Sequence, residues 1–97
     1  MDIADLQRTV NEFVRDMSWY APGSPHLQTP RNLAISLALE AGEVLEHFQW
    51  SEEAERQAVA SELADVLHYV LQLAYLLDID LEQAVLSKLA RNRGRQW

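Results

Sequence analysis

The feature that most constrains the fold is a long apolar helix predicted in the second half of the chain. Ser51, followed by Glu52 and Glu53, is a plausible N-cap with acids well placed for the helix dipole, and the helix is expected to reach about Leu77. It would be roughly 39 Å long at 1.5 Å per residue. From Val66 onward it is apolar on nearly every side, so it needs neighbours on every side. We therefore expect an oligomer built on helices two and three, with a monomeric four-helix bundle as the alternative.

A first helix is predicted from about residue 2 to residue 17, because its apolar residues recur at helical spacing. This apolar face consists of Ile3, Leu6, Val10, Phe13 and Met17. The next dozen residues, "WYAPGSPHLQTP", contain three prolines and a glycine, which is typical of a loop.

Capping signals predict two more helices. Thr29 followed by Pro30 marks the start of a second helix that runs to about Gln49, and Asp80 with Gln83 three residues later marks the start of a fourth. Strand-like alternation is absent from the sequence. The predicted fold is all-α: a single domain over residues 1–97, with four helices and a long antiparallel pair.

Composition excludes several classes of function. Fifteen acidic residues against eight basic ones give a net charge of −7, which argues against a sequence-independent grip on a nucleic acid polymer. The absence of cysteine excludes disulfides and thiolate metal sites and fits a reducing compartment. The acidic start lacks the pattern of a secretory signal, and "VLHYVLQLAYLL" is too short to span a bilayer. We expect a cytoplasmic protein without a membrane partner.

Two pairs of carboxylates border the apolar faces of the second and third helices. Glu40 and Glu43 are three residues apart, as are Glu62 and Asp65, so each pair shares one face of its helix. Acids at this spacing are also common on solvated helix faces. Two pairs on adjacent helices that lean inward favour a common pocket.

Partly burying four ionised carboxylates raises their pKa values and costs free energy unless something positive lies between them. Hard oxygen ligands favour Mg²⁺ or Mn²⁺, and Mg²⁺ commonly shares its coordination between carboxylates, water and substrate phosphates. The pattern therefore predicts a magnesium-dependent phosphate enzyme.

The motif "EAGE" is followed after eighteen residues by "ELAD", and these motifs belong to or accompany the longer stretches "PRNLAISLALEAGEVLEHFQW", "ELADVLHYV", "DIDLEQAV" and "KLARNRGR". With these motifs the sequence resembles the MazG-like, all-α nucleoside triphosphate pyrophosphohydrolases. These stretches are similar to the compact dCTP pyrophosphatase branch. The resemblance covers almost the whole chain and favours a homotetramer made of two dimers over a dimer.

Members of this family hydrolyse a nucleoside triphosphate to the monophosphate and pyrophosphate with Mg²⁺. The resemblance implies that the metal ligands are Glu40, Glu43, Glu62 and Asp65. Glu46, three residues after Glu43, is a candidate to orient or deprotonate the attacking water, and an exposed glutamate without that role is the alternative.

The resemblance also implies substrate-binding residues. Trp19 and Trp50 match aromatic positions that enclose the base, and stacking on aromatic rings suits any nucleobase. Trp50 could instead anchor the core or an interface. Tyr69, one turn after Asp65, matches a position near the sugar, with a plain core tyrosine as the alternative.

The last helix carries residues that match family positions near the phosphates of the substrate. Lys88 and Asn92, four residues apart, are implied to contact them, whereas the neighbouring arginines could simply stabilise a helix C-terminus. Arg31, at the start of the second helix, serves either the structure or a phosphate.

Four positions depart from the family branch. Val10 and Gln28 stand where relatives carry histidine, which puts cytosine selectivity in doubt. His47 and His68 stand where aliphatic residues are usual. His47 is either a contributor to the metal site or a surface or interface histidine.

Other functions are weighed against this one. A di-iron bundle needs a Glu-x-x-His motif on each of two helices, and only Asp65-x-x-His68 comes close. A non-catalytic helical dimerisation module would show no nucleotide turnover. Within the enzyme class, dUTP or phosphoribosyl-ATP could replace dCTP as substrate.

Overall fold

The computed structural model describes residues 1–95, which form four α-helices and no strand. Helix α1 spans Ile3–Asp16, α2 spans Pro30–Glu46, α3 spans Arg56–Leu76 and α4 spans Leu81–Arg93. This confirms the all-α fold class. None of the helices within this part of the chain combines the length and the apolarity needed to cross a membrane.

Local side-chain hydrogen bonds fix the starts of three helices where the sequence predicted them. Asp2 accepts from the Asp5 amide at 2.8 Å, and the Asp5 carboxylate accepts in return from the Asp2 amide at 3.2 Å. The side chain of Thr29 caps α2, and that of Asp80 caps α4. Each cap satisfies a backbone N–H that the helix itself leaves without a partner.

The predicted start of α3 at Ser51 is wrong, since the helix begins at Arg56 and is capped by Glu55. The Ser51 hydroxyl accepts from the Glu53 amide within the connecting loop instead. Glu55 caps more effectively because its two carboxylate oxygens accept from two amides, at 3.1 and 2.7 Å, and its charge opposes the helix dipole. Helix α2 likewise ends three residues before the predicted Gln49.

Helices α2 and α3 pack against each other most extensively and run antiparallel. Gln28, just before α2, contacts Gln72 near the end of α3, whereas His47, just after α2, contacts Glu62 near the start of α3. Helix α1 packs on α3, and α4 packs on α1. The predicted antiparallel pair is therefore confirmed, and it forms the centre of the chain.

The core is small and partly polar. The buried apolar residues are Val14, Leu33, Leu71 and Ala74, and they lie beside the buried amides of Asn11 and Gln72. The Asn11 amide is satisfied, because its nitrogen donates to the Gln7 carbonyl and its oxygen accepts from the Tyr20 hydroxyl.

Much apolar surface stays outside this core. A compact monomer of this mass would expose about 5,700 Å², whereas this chain exposes 7532 Å². Leu63 and Leu67 on α3 and Val85 and Leu86 on α4 are all at least 40% exposed. Ile3, Leu67, Val85 and Leu86 also line an apolar groove of about 380 Å³ between α1, α3 and α4.

Replacing Leu33 by alanine should lower the free energy of unfolding by about 2–5 kcal/mol, because the side chain is only 1% exposed and its loss leaves a cavity. Leu27→Ala, at a loop residue that is 52% exposed, should cost less than about 1 kcal/mol. Urea unfolding of both variants measures the difference. Equal losses would show that Leu33 does not anchor α2 to the core.

Candidate functional site

Three carboxylates meet between α2 and α3. Glu40 lies past the middle of α2, and Glu62 and Asp65 lie one turn apart on α3. One side-chain oxygen from each of the three lies within 4.8 Å of the other two. The antiparallel packing of the two helices therefore brings Glu40, from the predicted pair on α2, to both members of the predicted pair on α3.

The electrostatics of the cluster are unfavourable for three negative charges. Burial, the neighbouring carboxylate of Glu43 and the charge of Asp65 together raise the pKa of Glu40 from its ordinary value of 4.5 to about 7. Oε2 of Glu40 and Oε2 of Glu62 are also buried, and neither has a hydrogen-bond partner among the described residues. Buried acceptors without a donor cost free energy, so a cation at this point would stabilise the structure.

The donor set fits a hard divalent cation. All three groups offer carboxylate oxygens, which are the ligands of Mg²⁺ and Mn²⁺. Two oxygens bound to one Mg²⁺ at about 2.1 Å lie at most about 4.2 Å apart. The three carboxylate oxygens are separated by up to 4.8 Å, so small side-chain rotations would bring them to coordination distance.

The remaining acids near the cluster are exposed, as Asp65 is. Glu43 is exposed and lies outside the three-residue group, but it is close enough to Glu40 to raise its pKa. Glu46, the last residue of α2, is also exposed. His47 follows it as the C-cap, with Nε2 3.6 Å from Oε1 of Glu62, so this histidine lies at the edge of the cluster.

A second feature of the site is an aromatic cavity of about 240 Å³, lined by Trp19, His26, Gln28 and Tyr69. Trp19 and Tyr69, both predicted to bind substrate, are thus brought together. The ring of Phe13 packs edge-on against Trp19, with centroids 5.4 Å apart, and supports it from α1. Because Tyr69 follows Asp65 by one helical turn, the cavity and the acidic cluster are neighbours along α3.

The other predicted substrate residues lie outside this cavity. Trp50 is 90% exposed in the loop between α2 and α3. Arg31, in the first turn of α2, and Lys88, on α4, are exposed. Asn92 is half-buried, and its Oδ1 has no hydrogen-bond partner among the described residues. The predicted roles of these four residues stay predictions.

Sequence reasoning missed two residues that shape the site. Gln72, which is fully buried, interrupts an apolar run and gave no other signal in the sequence. His26 lies in the loop that crosses the cavity, and no periodic pattern marks it. Both depend on the path of the loop, which local spacing does not determine.

Fold and site together define an all-α protein whose central helix pair carries an acidic cluster suited to a divalent cation. The MazG-like family matches residues 35–96. The chain belongs to this family, which confirms the membership predicted from the sequence.

Individual relatives agree with this membership. The chain is 37% identical to human dCTP pyrophosphatase 1 over 103 residues, covering 96% of this chain and 58% of that protein. It is 33% identical over 95 residues to a dATP/dGTP diphosphohydrolase of cyanophage S-2L, covering 98% and 77% of the two chains. A pyrophosphatase of Archaeoglobus fulgidus, 33% identical, shares the fold with a TM-score of 0.77 over 92% of this chain and 86% of its own. The chain spans just over half the length of the mammalian relatives.

The metal-free protein should lose stability as the pH rises from 5 to 8. Folding raises the pKa of Glu40 from 4.5 to about 7, so within that interval the folded state retains a proton that the unfolded state has lost. Stability from this group is present below pH 4.5 and is lost as the pH passes 7. Thermal unfolding in a chelating buffer at pH 5 and pH 8 measures the fall in Tm.

Glu40→Gln carries no charge at either pH and is the matched variant, so its Tm should fall less than that of the wild type. Mg²⁺ added at pH 8 should raise the Tm of the wild type more than that of the variant. Parallel pH curves for the two proteins would contradict the electrostatic description of the cluster.

Proposed function

We propose that this chain is a Mg²⁺-dependent nucleoside triphosphate pyrophosphohydrolase of one domain, acting in the cytoplasm on a deoxynucleoside triphosphate. The observation that carries the proposal is the meeting of Glu40, Glu62 and Asp65 between α2 and α3, where Oε2 of Glu40 and Oε2 of Glu62 are buried without a hydrogen-bond partner among the described residues. Such a cluster is stable in its charged form only with a cation, and a cation of this kind binds phosphates as well.

Each residue of the cluster has a role in this proposal. Glu40, Glu62 and Asp65 would hold the cation, with Glu43 as a fourth ligand or as a ligand of a second ion. When bound, Mg²⁺ supplies charge neutralisation at the phosphate oxygens and lowers the pKa of a bound water, and Mn²⁺ can substitute for it. Glu46, exposed at the end of α2, would orient the attacking water or accept its proton. The bond between the α- and β-phosphates breaks, which gives the monophosphate and pyrophosphate.

The cavity next to the cluster suggests where the nucleoside would lie. Trp19 offers a ring face on which a base can stack, and Tyr69, one turn from Asp65, would lie near the deoxyribose. The relatives named above are a dCTP pyrophosphatase and a dATP/dGTP diphosphohydrolase, so a deoxynucleotide is the proposed substrate class. Trp50 would close over the base from the α2–α3 loop.

The far phosphates would be bound by residues outside the acidic cluster. Lys88 is an exposed cation on α4, and Asn92 lies one turn later on the same face. Arg31, in the first turn of α2, is a further candidate, since amides at a helix N-terminus also favour anions.

Asp65→Asn and Glu43→Gln should each lower turnover by at least roughly a hundredfold, because charge that holds the cation and its phosphates is removed. Monophosphate and pyrophosphate released from each dNTP with Mg²⁺ are measured, and circular dichroism checks the fold. Glu12→Gln, an exposed acid on α1, is the matched control and should retain full turnover.

Near-normal turnover in Asp65→Asn would contradict the assignment. A wild-type protein inactive on every dNTP, whether or not it binds metal, would favour a non-catalytic helical module instead.

The protein is proposed to work as a homo-oligomer, with a tetramer of two dimers favoured over a single dimer. The exposed area exceeds that of a compact monomer of this mass by about a third, and many large apolar side chains on α2, α3 and α4 are among the exposed residues. Extensive apolar surface that stays exposed on a folded chain is typical of subunit interfaces. A second copy offers the same apolar faces, as a two-fold interface requires.

Light scattering coupled to size-exclusion chromatography should give four times the 11.1 kDa chain mass for a tetramer, or twice the chain mass for a dimer. Leu67→Asp, in the apolar groove, should reduce the mass, because burying an unpaired charge at an interface is costly. Leu27→Asp, in a loop, should leave it unchanged. A wild-type mass equal to one chain would overturn the proposal.

A further inference from the structure

A chain of hydrogen bonds connects the backbone of His26, which lines the aromatic cavity, through Gln28 to the interior of the protein. The side-chain nitrogen of Gln28 donates to the backbone carbonyl of His26 at 2.9 Å. Its side-chain oxygen accepts from Nε2 of Gln72 at 2.6 Å. Oε1 of Gln72, in turn, lies 3.1 Å from Nε2 of His68. The chain links the loop before α2 to α3 across 44 residues of sequence.

The donor-to-acceptor direction of this series of hydrogen bonds is fixed at one end by the backbone carbonyl of His26. A carbonyl oxygen can only accept, so the Gln28 nitrogen must face His26 and the Gln28 oxygen must face Gln72. Gln72 then donates to Gln28, which leaves its oxygen to accept from His68. Rotating the Gln28 amide by half a turn would oppose oxygen to oxygen and nitrogen to nitrogen, and both hydrogen bonds would be lost.

Burial strengthens this constraint. Gln72 is 0% exposed, so water cannot replace a lost partner at that position. The ring of His68 is held in place as well, since it packs against Tyr69 and Phe13 with centroids 5.2 and 6.4 Å apart. The Gln28 amide is therefore supported in a single orientation from the interior of the protein.

The Gln28 amide, which belongs to a residue that lines the cavity, retains hydrogen-bonding capacity. Its nitrogen carries a second hydrogen and its oxygen a second lone pair, and neither is used by a described residue. The Gln28 amide thus keeps one donor and one acceptor unused by the described residues, and Gln28 lines the cavity together with Trp19 and Tyr69.

We infer that Gln28 is a specificity-determining residue that reads the polar edge of the nucleobase, and that Gln72 and His68 are positioning residues that hold its amide in the reading orientation. This inference rests on the proposed function and goes beyond it. Stacking on Trp19 accepts any base, whereas an amide with a fixed donor and acceptor does not.

The inference predicts the kind of discrimination. Cytosine and adenine carry an exocyclic amino donor, whereas uracil, thymine and guanine carry a keto oxygen at the corresponding position. An amide held in one orientation pairs its donor and acceptor with either the amino or the keto form of the base edge and opposes like groups in the other. An amide free to rotate by half a turn would pair with both.

The experiment compares kcat/KM for dCTP and dUTP, which differ in this amino or keto group and its neighbouring ring nitrogen. The wild type should prefer one of the two by at least roughly tenfold. Gln72→Leu, which fills the same space but releases the Gln28 amide, should bring the ratio close to one. Gln28→Met should do the same. Gln57→Leu, the same exchange at an exposed position of α3, is the control and should keep the wild-type ratio.

Gln28 lies in a loop and is only half-buried, so Gln28→Met keeps the test decisive if Gln72→Leu fails to fold. A wild-type ratio near one, or an unchanged ratio in Gln28→Met, overturns the inference while the proposed function stands. If no dNTP is hydrolysed, the proposed function fails. In that case calorimetry measures the binding of dCTP and dUTP to the wild type and to Gln28→Met. A difference in affinity between the two nucleotides that is lost in Gln28→Met supports base reading by Gln28.

A second readout reports on the hydrogen-bond chain itself. Because the Gln72 oxygen can only accept, neutral His68 should carry its proton on Nε2. Nitrogen-15 NMR of the imidazole distinguishes the two tautomers. The Nδ1-protonated form would overturn the positioning roles of Gln72 and His68.

Discussion

Glu40, Glu62 and Asp65 repel one another, yet the packing of α2 against α3 holds their oxygens within 4.8 Å. Leu33, buried on α2, and Leu71, buried on α3, are part of the apolar core that keeps the two helices together. Part of the hydrophobic free energy thus opposes electrostatic repulsion at the cluster. Burial of the Glu40 carboxylate, together with the neighbouring charges of Glu43 and Asp65, raises the pKa of Glu40 to about 7. Cation binding would remove this repulsion, so binding and stability are linked.

The same helix pair positions the rest of the site. Asp65 and Tyr69 are one turn apart on α3, so the acidic cluster and the aromatic cavity follow each other along a single rigid element. The loop before α2 closes the cavity through Gln28, and the loop after α2 brings His47 to the cluster. Within residues 1–95 only four apolar residues are buried, and large apolar side chains on α3 and α4 stay exposed.

Local features of the sequence predicted most of the helices and the acidic cluster. Caps such as Thr29 and Asp80 involve residues three positions apart, and a carboxylate pair on one face of a helix needs no knowledge of the rest of the chain. The start of α3 was predicted wrongly because Ser51 and Glu55 both offer caps, and the choice depends on how the loop leaves α2. The contact between Gln28 and Gln72 was beyond prediction because it spans 44 residues and depends on the path of a Pro-rich loop.

The central claim is that carboxylates from α2 and α3 form one cation site, and a Mn²⁺ titration followed by NMR tests it most directly. Paramagnetic Mn²⁺ broadens the amide signals of residues close to it. Signals around Glu40, Glu62 and Asp65 should disappear first, at the same low Mn²⁺ concentration, and excess Mg²⁺ should restore them. Broadening that begins at the exposed acids Glu52 and Glu53, or that is spread evenly over the acidic surface, would contradict the claim.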